Sequence, residues 1–234
     1  MKVCVGEGRE VNVDELKEYD EDDLKQDRPF TRETPQLASM IHSVQVNPVW
    51  NIPVSIATNE ISKHAAADRY YLSNNNIDVY KDGEIIEDTE LIDWSAEDAG
   101  KVYSFKQRPG VDNALGRIKF LFNNASAVYL HDTPAKAAFK LANRAVSHGC
   151  VRVEKPLELA HALFGDGDKY ETIKTQMAVT ENQQAKDLSL PKQIPVYLTY
   201  STCWADDAGT LQFRKDVYGL DVVLYSYLER LKKG

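Results

Sequence analysis

Short runs rich in β-branched and aromatic residues recur along the chain, at 2–5, 43–47, 101–105, 117–122, 127–131 and 194–200, bounded by Pro, Gly and Asn. Such side chains lose rotamer freedom against a helical turn but pack well on a pleated surface, so these runs predict strands. Helical patterning is confined to the gaps. Pro134 predicts the first position of a short helix ending near Leu141, with Thr133 or Asp132 as its cap. Pro156 begins a second, whose apolar positions Leu157, Leu159, Ala160 and Leu163 run up to a terminating Gly165. Residues 221–233 carry an apolar face and a cationic last turn. Strand runs outnumbering helical ones predict an α+β fold, a strand-rich core with helices at its edges.

The 234 residues suffice for one large domain or a core carrying an inserted subdomain, and 43% hydrophobic with 27% charged residues is an ordinary globular composition. Between residues 53 and 102 the texture changes, with turn signals at Ser73-Asn74-Asn75-Asn76 and Lys81-Asp82-Gly83. A net charge of −8 argues against a nucleic-acid partner, which calls for a basic surplus or stripe. Much of the acidity sits in residues 13–27, a solvated helix or an insertion. No stretch approaches the roughly 20 apolar residues of a membrane span, and the opening MKVCVGEGRE lacks the apolar centre of a signal peptide.

Chemistry concentrates in Ser147-His148-Gly149-Cys150, with His131 nineteen positions before the cysteine. A thiol near its ordinary pKa of about 8.5 is only a few per cent thiolate at neutral pH and needs a base or a cation to activate it. His131 and His148 are the candidates, and Gly149 allows a sharp turn that aims the Gly149 and Cys150 amides at a developing oxyanion. The structural alternative is a buried cysteine that only packs. Without CxxC or HExxH, no metal site is expected. Cys4 and Cys203 either pair or stay reduced.

The run 129–153, YLHDTPAKAAFKLANRAVSHGCVRV, resembles the signature of the bacterial L,D-transpeptidases: a His, a spacer, then Ser or Thr followed by His-Gly-Cys and a hydrophobic residue. His131, Ser147, His148, Gly149, Cys150 and Val151 match it in turn, whereas Arg152 stands where most members have Asn, a departure associated with a large, capped Gram-negative subgroup. Residues 113–120, 46–53 and 196–221 are similar to that subgroup's strand entering the site, cap opening and closing strands.

The resemblance implies an L,D-transpeptidase catalytic fold over residues 1–234, with 53–102 as an inserted mixed capping subdomain, or lid, and a C-terminal helix. It also implies export, anchoring and wall-binding segments upstream, hence a periplasmic or cell-envelope location and contact with the membrane only through those segments. The substrate would be a peptidoglycan stem peptide whose diamino acid is joined to D-alanine, Cys150 would form the thioester and a 3→3 cross-link would result, carbapenem-type inhibitors would acylate the same thiol, and no cofactor would be needed. His131 is the expected base, oriented by the backbone carbonyl of Asp132 or else by its carboxylate; His148 is the competing base. Arg152 either clamps a substrate carboxylate or pairs with Glu154 or an acid of the cap. Ser147, Asp132 and, in the lid, Tyr70 and Tyr71 complete the substrate candidates; Trp50, Trp94 and Tyr103 either line the groove or, as aromatic residues more often do, pack in the core. Rival readings of the same site are an L,D-carboxypeptidase, attachment of a protein amine to the wall, and an inactive wall-binding module.

Overall fold

The computed structural model of the chain describes residues 1–8, 32–96 and 98–233, so the acidic run 13–27 lies outside the described residues. Two sheets organise the rest. The larger has seven strands in the order β11-β2-β7-β8-β10-β1-β9, formed by β1 (Val3–Gly6), β2 (Leu37–Val46), β7 (Ile118–Phe122), β8 (Leu130–His131), β9 (Ala145–Ser147), β10 (Val151–Val153) and β11 (Lys186–Leu198). Strand β7 shows why it holds together. Ile118, Phe120 and Phe122 alternate with Lys119 and Leu121, so every second side chain joins Val44, Val46, Ala160 and Ile173 in the core and the others face away. The helices Pro156–Phe164 and Asp168–Ala178 cover the apolar face with Ala160 and Ile173, both fully buried. At the edge of the sheet, β11 tolerates Pro191 and Pro195 because an edge strand can forgo ladder donors.

The second sheet, in the order β3-β6-β4-β5, is built from β3 (Trp50–Ile52), β4 (Ile77–Lys81), β5 (Glu84–Ile86) and β6 (Ser104–Gln107). It draws on residues either side of the stretch 53–102 and has its own core of Ile52, Ile56, Ile61, Leu72, Val79 and Phe105. Asp82 at φ 52° and Gly83 at φ 89° close the two-residue β4–β5 hairpin, a left-handed pair suited to a type I′ turn. From β3 the chain runs through helical turns at Val54–Ile56, Ala57–Ile61 and Ser62–Ala67, the middle one π-helical. Buried Asn113 ties together the segments that flank this second sheet: its Nδ2 donates to the carbonyls of Pro48 at 3.1 Å and Arg108 at 2.9 Å, and its Oδ1 accepts from the Leu115 N–H at 2.9 Å. Asn113→Ala strips those partners from buried backbone groups and is expected to cost roughly 3 kcal/mol. Thermal unfolding should show this as a Tm fall of about 6–12 °C; a fall under about 2 °C would remove Asn113 as the stitch.

Several expected elements differ. The helix expected at 134–141 is a 3-10 helix, Lys136–Lys140, in which only Phe139 is buried; a short helix with one anchoring side chain lacks the packed face that would sustain α-helical turns. The strand expected at 101–105 begins at Ser104, after a helical turn at Ala99–Val102, and that expected at 127–131 shortens to Leu130–His131 because Ala127 turns at φ 52°. The helix Asp168–Ala178 was not anticipated, although Tyr170, Ile173 and Met177 lie at helical spacing and pack on the core. Cys4 is buried, Cys203 is exposed on a short hairpin strand, and neither is disulfide-bonded. No helix among the described residues is long and apolar enough to cross a membrane.

Candidate active site

Parallel pairing of β8 with β10 brings the two halves of the motif together, setting His131 opposite Arg152 and Leu130 opposite Val151. Antiparallel pairing of β7 with β8 sets Lys119 opposite His131. Residues opposite one another on paired strands share a face, so Lys119, His131 and Arg152 form one row across three strands, with a cation on each side of the imidazole. Cys150 and Tyr129 lie two residues before Arg152 and His131, one step further along that face.

His131 is 5% exposed, and its Nδ1 bonds the backbone carbonyl of Asp132 at 2.5 Å. A carbonyl can only accept, so Nδ1 carries the proton and Nε2 keeps the lone pair that a base needs. The Asp132 carboxylate does not orient the ring. It accepts the Arg117 N–H at 2.9 Å and the Lys136 ammonium, and it packs on Gly116, where a Cβ would lie 2.5 Å from its Cγ. Burial, helped by Arg152, pushes the imidazole pKa from 6.5 down to about 4. The unfolded chain therefore binds more protons between those limits, and the stability contributed by neutral His131 is full above about pH 6.5 and lost as the pH falls toward 4. Between pH 7 and pH 5 the wild type should lose roughly 2 kcal/mol more than His131→Gln, read from urea unfolding at each pH. Equal losses would mean the ring is not held neutral.

Burial pushes the Cys150 thiol up, against the Tyr129 backbone N–H and hydroxyl and the Lys119 and Arg152 charges, which pull it down. The Tyr129 hydroxyl interacts with both the sulfur and the Trp50 side chain, and burial raises its pKa above the ordinary range. Thiol and imidazole are thus both neutral at rest, with no hydrogen bond between them.

The turn that leads into Cys150 is braced from several sides. Ser147 Oγ donates to the Cys150 carbonyl at 2.6 Å, and Thr34 Oγ1 donates to the Gly149 carbonyl at 2.7 Å. Gly149 stands at φ +116°, which a side chain rarely adopts, but its N–H donates to Ser147 Oγ at 3.2 Å. Of the two amides expected to face an oxyanion, the Gly149 N–H is thus engaged within the turn, and the Cys150 N–H has no hydrogen bond among the described residues. Ser147 and Asp132 are buried and bonded within the fold, so neither offers its polar atoms to a substrate. His148 points away from the sulfur. Its Nε2 bonds Glu60 Oε1 at 2.7 Å, the same oxygen that accepts Arg32 Nη2 at 2.7 Å, tying the turn to the π-helical segment Ala57–Ile61.

Arg152 has no hydrogen bond or ion pair among the described residues. Glu154, its expected structural partner, instead accepts the Lys2 N–H at 2.9 Å. Tyr71 stacks on His64, with centroids 4.9 Å apart, and feels the Glu60 charge, whereas Tyr70 is exposed under Arg69 and touches none of the site. Tyr129, Lys119 and Glu60 escaped the sequence reading, and Trp50, expected in the groove or the core, interacts with the Tyr129 hydroxyl. For Tyr129 a signal existed, since it lies two residues before His131 and shares its face. Among the described residues no group of three or more His, Cys, Asp or Glu side chains could hold a metal ion.

Residues 1–168 match the family model of the YkuD L,D-transpeptidase catalytic domain. A Haemophilus influenzae protein carrying the provisional name L,D-transpeptidase is 35% identical over 191 residues, which cover 82% of this chain and 38% of that protein. The chain therefore spans little more than a third of that relative's length.

Proposed function

Because the chain belongs to the YkuD family of L,D-transpeptidase catalytic domains, we propose that Cys150 attacks the diamino acid–D-alanine bond of a peptidoglycan stem tetrapeptide and passes the acyl group to a second stem, forming a 3→3 cross-link. The observation that carries this reading is the Nδ1–H tautomer of His131, which leaves a neutral ring nitrogen for proton transfer on the face that holds the thiol.

The substrate carbonyl enters beside the sulfur. As Sγ bonds to the carbonyl carbon, the thiol proton passes to His131 Nε2, and negative charge develops on the oxygen rather than resting on sulfur. The Cys150 N–H and the Tyr129 hydroxyl, which the Trp50 side chain supports, receive that charge. Collapse expels the amine of D-alanine, which takes the proton from His131, and a thioester remains. The acceptor amine gives a proton to His131, attacks the thioester and regenerates the thiol. Arg152, without a hydrogen bond or ion pair among the described residues and two residues from Cys150, binds a carboxylate on the acyl side. The insertion built around the second sheet acts as the lid, held to the nucleophile turn through Glu60 and His148.

On this reading the enzyme would act on peptidoglycan in the periplasm, and carbapenems would acylate Cys150. Incubation with a defined tetrapeptide muropeptide tests it. Cross-linked dimers with loss of D-alanine are expected; trimmed tripeptides alone would show water as the acceptor, and unchanged muropeptide would leave only wall binding.

A further inference from the structure

We propose that Lys119 reads the leaving end of the donor: its ammonium binds the free carboxylate of the terminal amino acid, so that the site accepts a single residue beyond the scissile carbonyl. This inference rests on the L,D-transpeptidase reading of the same site.

The leaving amine has to take its proton from His131. Its own carboxylate lies two bonds from that nitrogen, hence within about one strand spacing, roughly 4.8 Å, of the ring. The register puts a cation on each neighbouring strand at that level, Lys119 on β7 and Arg152 on β10. Arg152 shares its strand with the nucleophile turn and so stands on the acyl side. Lys119 comes from the far side of His131, with its Nζ over the Tyr129 ring, 5.5 Å from the centroid, and Tyr129 in turn interacts with the sulfur. A leaving group that departs from Cys150 past His131 runs toward Lys119.

The ammonium is also available. Lys119 has no hydrogen bond and no ion pair within 4 Å among the described residues, and the Asp187 carboxylate two strands away accepts instead from Gln45 Nε2 at 3.0 Å. Burial lowers the Lys119 pKa, with Asp187 and the Cys150 sulfur opposing. A partly buried cation without a fixed anion is costly, and a substrate carboxylate would compensate it. A stem with one more residue would carry its carboxylate past Lys119, which would then face a neutral peptide bond.

The test compares two synthetic tetrapeptide donors, identical except that one ends in a free carboxylate and the other in a carboxamide. Release of the terminal residue is measured with the whole chain. Wild type should favour the acid by about 10- to 100-fold in kcat/KM, as expected for a charge-assisted hydrogen bond. In Lys119→Met the acid-to-amide ratio should fall to about one, and Lys119→Arg should restore part of it. Lys119→Gln gives a second reading of the ratio if the Met variant fails to fold. Equal slowing of both donors with the ratio preserved would make Lys119 a mere electrostatic support for sulfur and overturn the assignment. A wild type that cleaves both donors equally well would overturn it while leaving the L,D-transpeptidase reading standing. If wild type cleaves neither, that reading falls and the assignment falls with it.

Discussion

Replacing His131 with alanine is expected to slow acylation of Cys150 by roughly 100- to 10,000-fold, the contribution of a well-placed general base. The expectation rests on the resting state: the thiol is raised by burial and the imidazole is held neutral, so no thiolate waits preformed and the proton must leave as sulfur attacks. The wild-type rate should then stay nearly flat from neutral pH down to about pH 5, because the ring protonates only near 4. In the alanine variant the residual rate should climb with pH as hydroxide ionises the thiol. His148→Ala removes a bond to Glu60 and no proton acceptor, so its effect on acylation by a small acyl donor should stay within about ten-fold. Single-turnover acylation followed by intact-protein mass spectrometry separates the two. A His131→Ala rate close to wild type, or a His148→Ala loss of equal size, would reverse the assignment of the base.

The next largest effect is expected from Tyr129→Phe, a loss of about 100-fold in kcat with little change in KM. Of the two oxyanion donors, one is a backbone amide that side-chain substitution cannot remove, so the hydroxyl is the accessible half of the pair. Loss of one such donor in a desolvated site typically costs 100- to 1,000-fold, and an interaction made only in the transition state lowers kcat rather than raising KM. The ring remains, so contacts with His131, 5.7 Å between centroids, and with the Lys119 ammonium should persist. Unfolding stability should fall by no more than about 1 kcal/mol, the net worth of one hydrogen bond. A kcat loss matched by a comparable loss of folded protein would make Tyr129 structural.

Cys150 and His131, the proposed nucleophile and base, could be picked out in the sequence because both sit in one short span whose ends are brought together by a single strand pairing. The tautomer that makes His131 a base was also foreseeable, since the orienting carbonyl belongs to the next residue. Lys119 was not. It reaches the site only through the β7–β8 register, and register is set by pairings between distant segments that local patterning does not report. The same holds for Glu60, 88 residues from the His148 it binds. His148 and Ser147, polar residues beside a cysteine, look chemical in the sequence; in the structure their side chains bond Glu60 and the Cys150 carbonyl and hold the turn. Among the elements, 117–122 was recognisable from its β-branched and aromatic content, whereas 134–141 has helical composition without a buried face to fix it as an α-helix. For Arg152 the sequence offered either a substrate carboxylate or an acidic partner in the fold, and the structure places Glu154, one of those partners, on the Lys2 N–H instead.

The central claim is a covalent thioester at Cys150. Rapid quenching of the protein with a stem tetrapeptide, followed by proteolysis and mass spectrometry, should find the tripeptidyl group on the fragment containing Cys150, with one D-alanine released per acylated chain and neither product in Cys150→Ala. Release of D-alanine with no adduct on Cys150, or undiminished release by the Cys150→Ala variant, would contradict it.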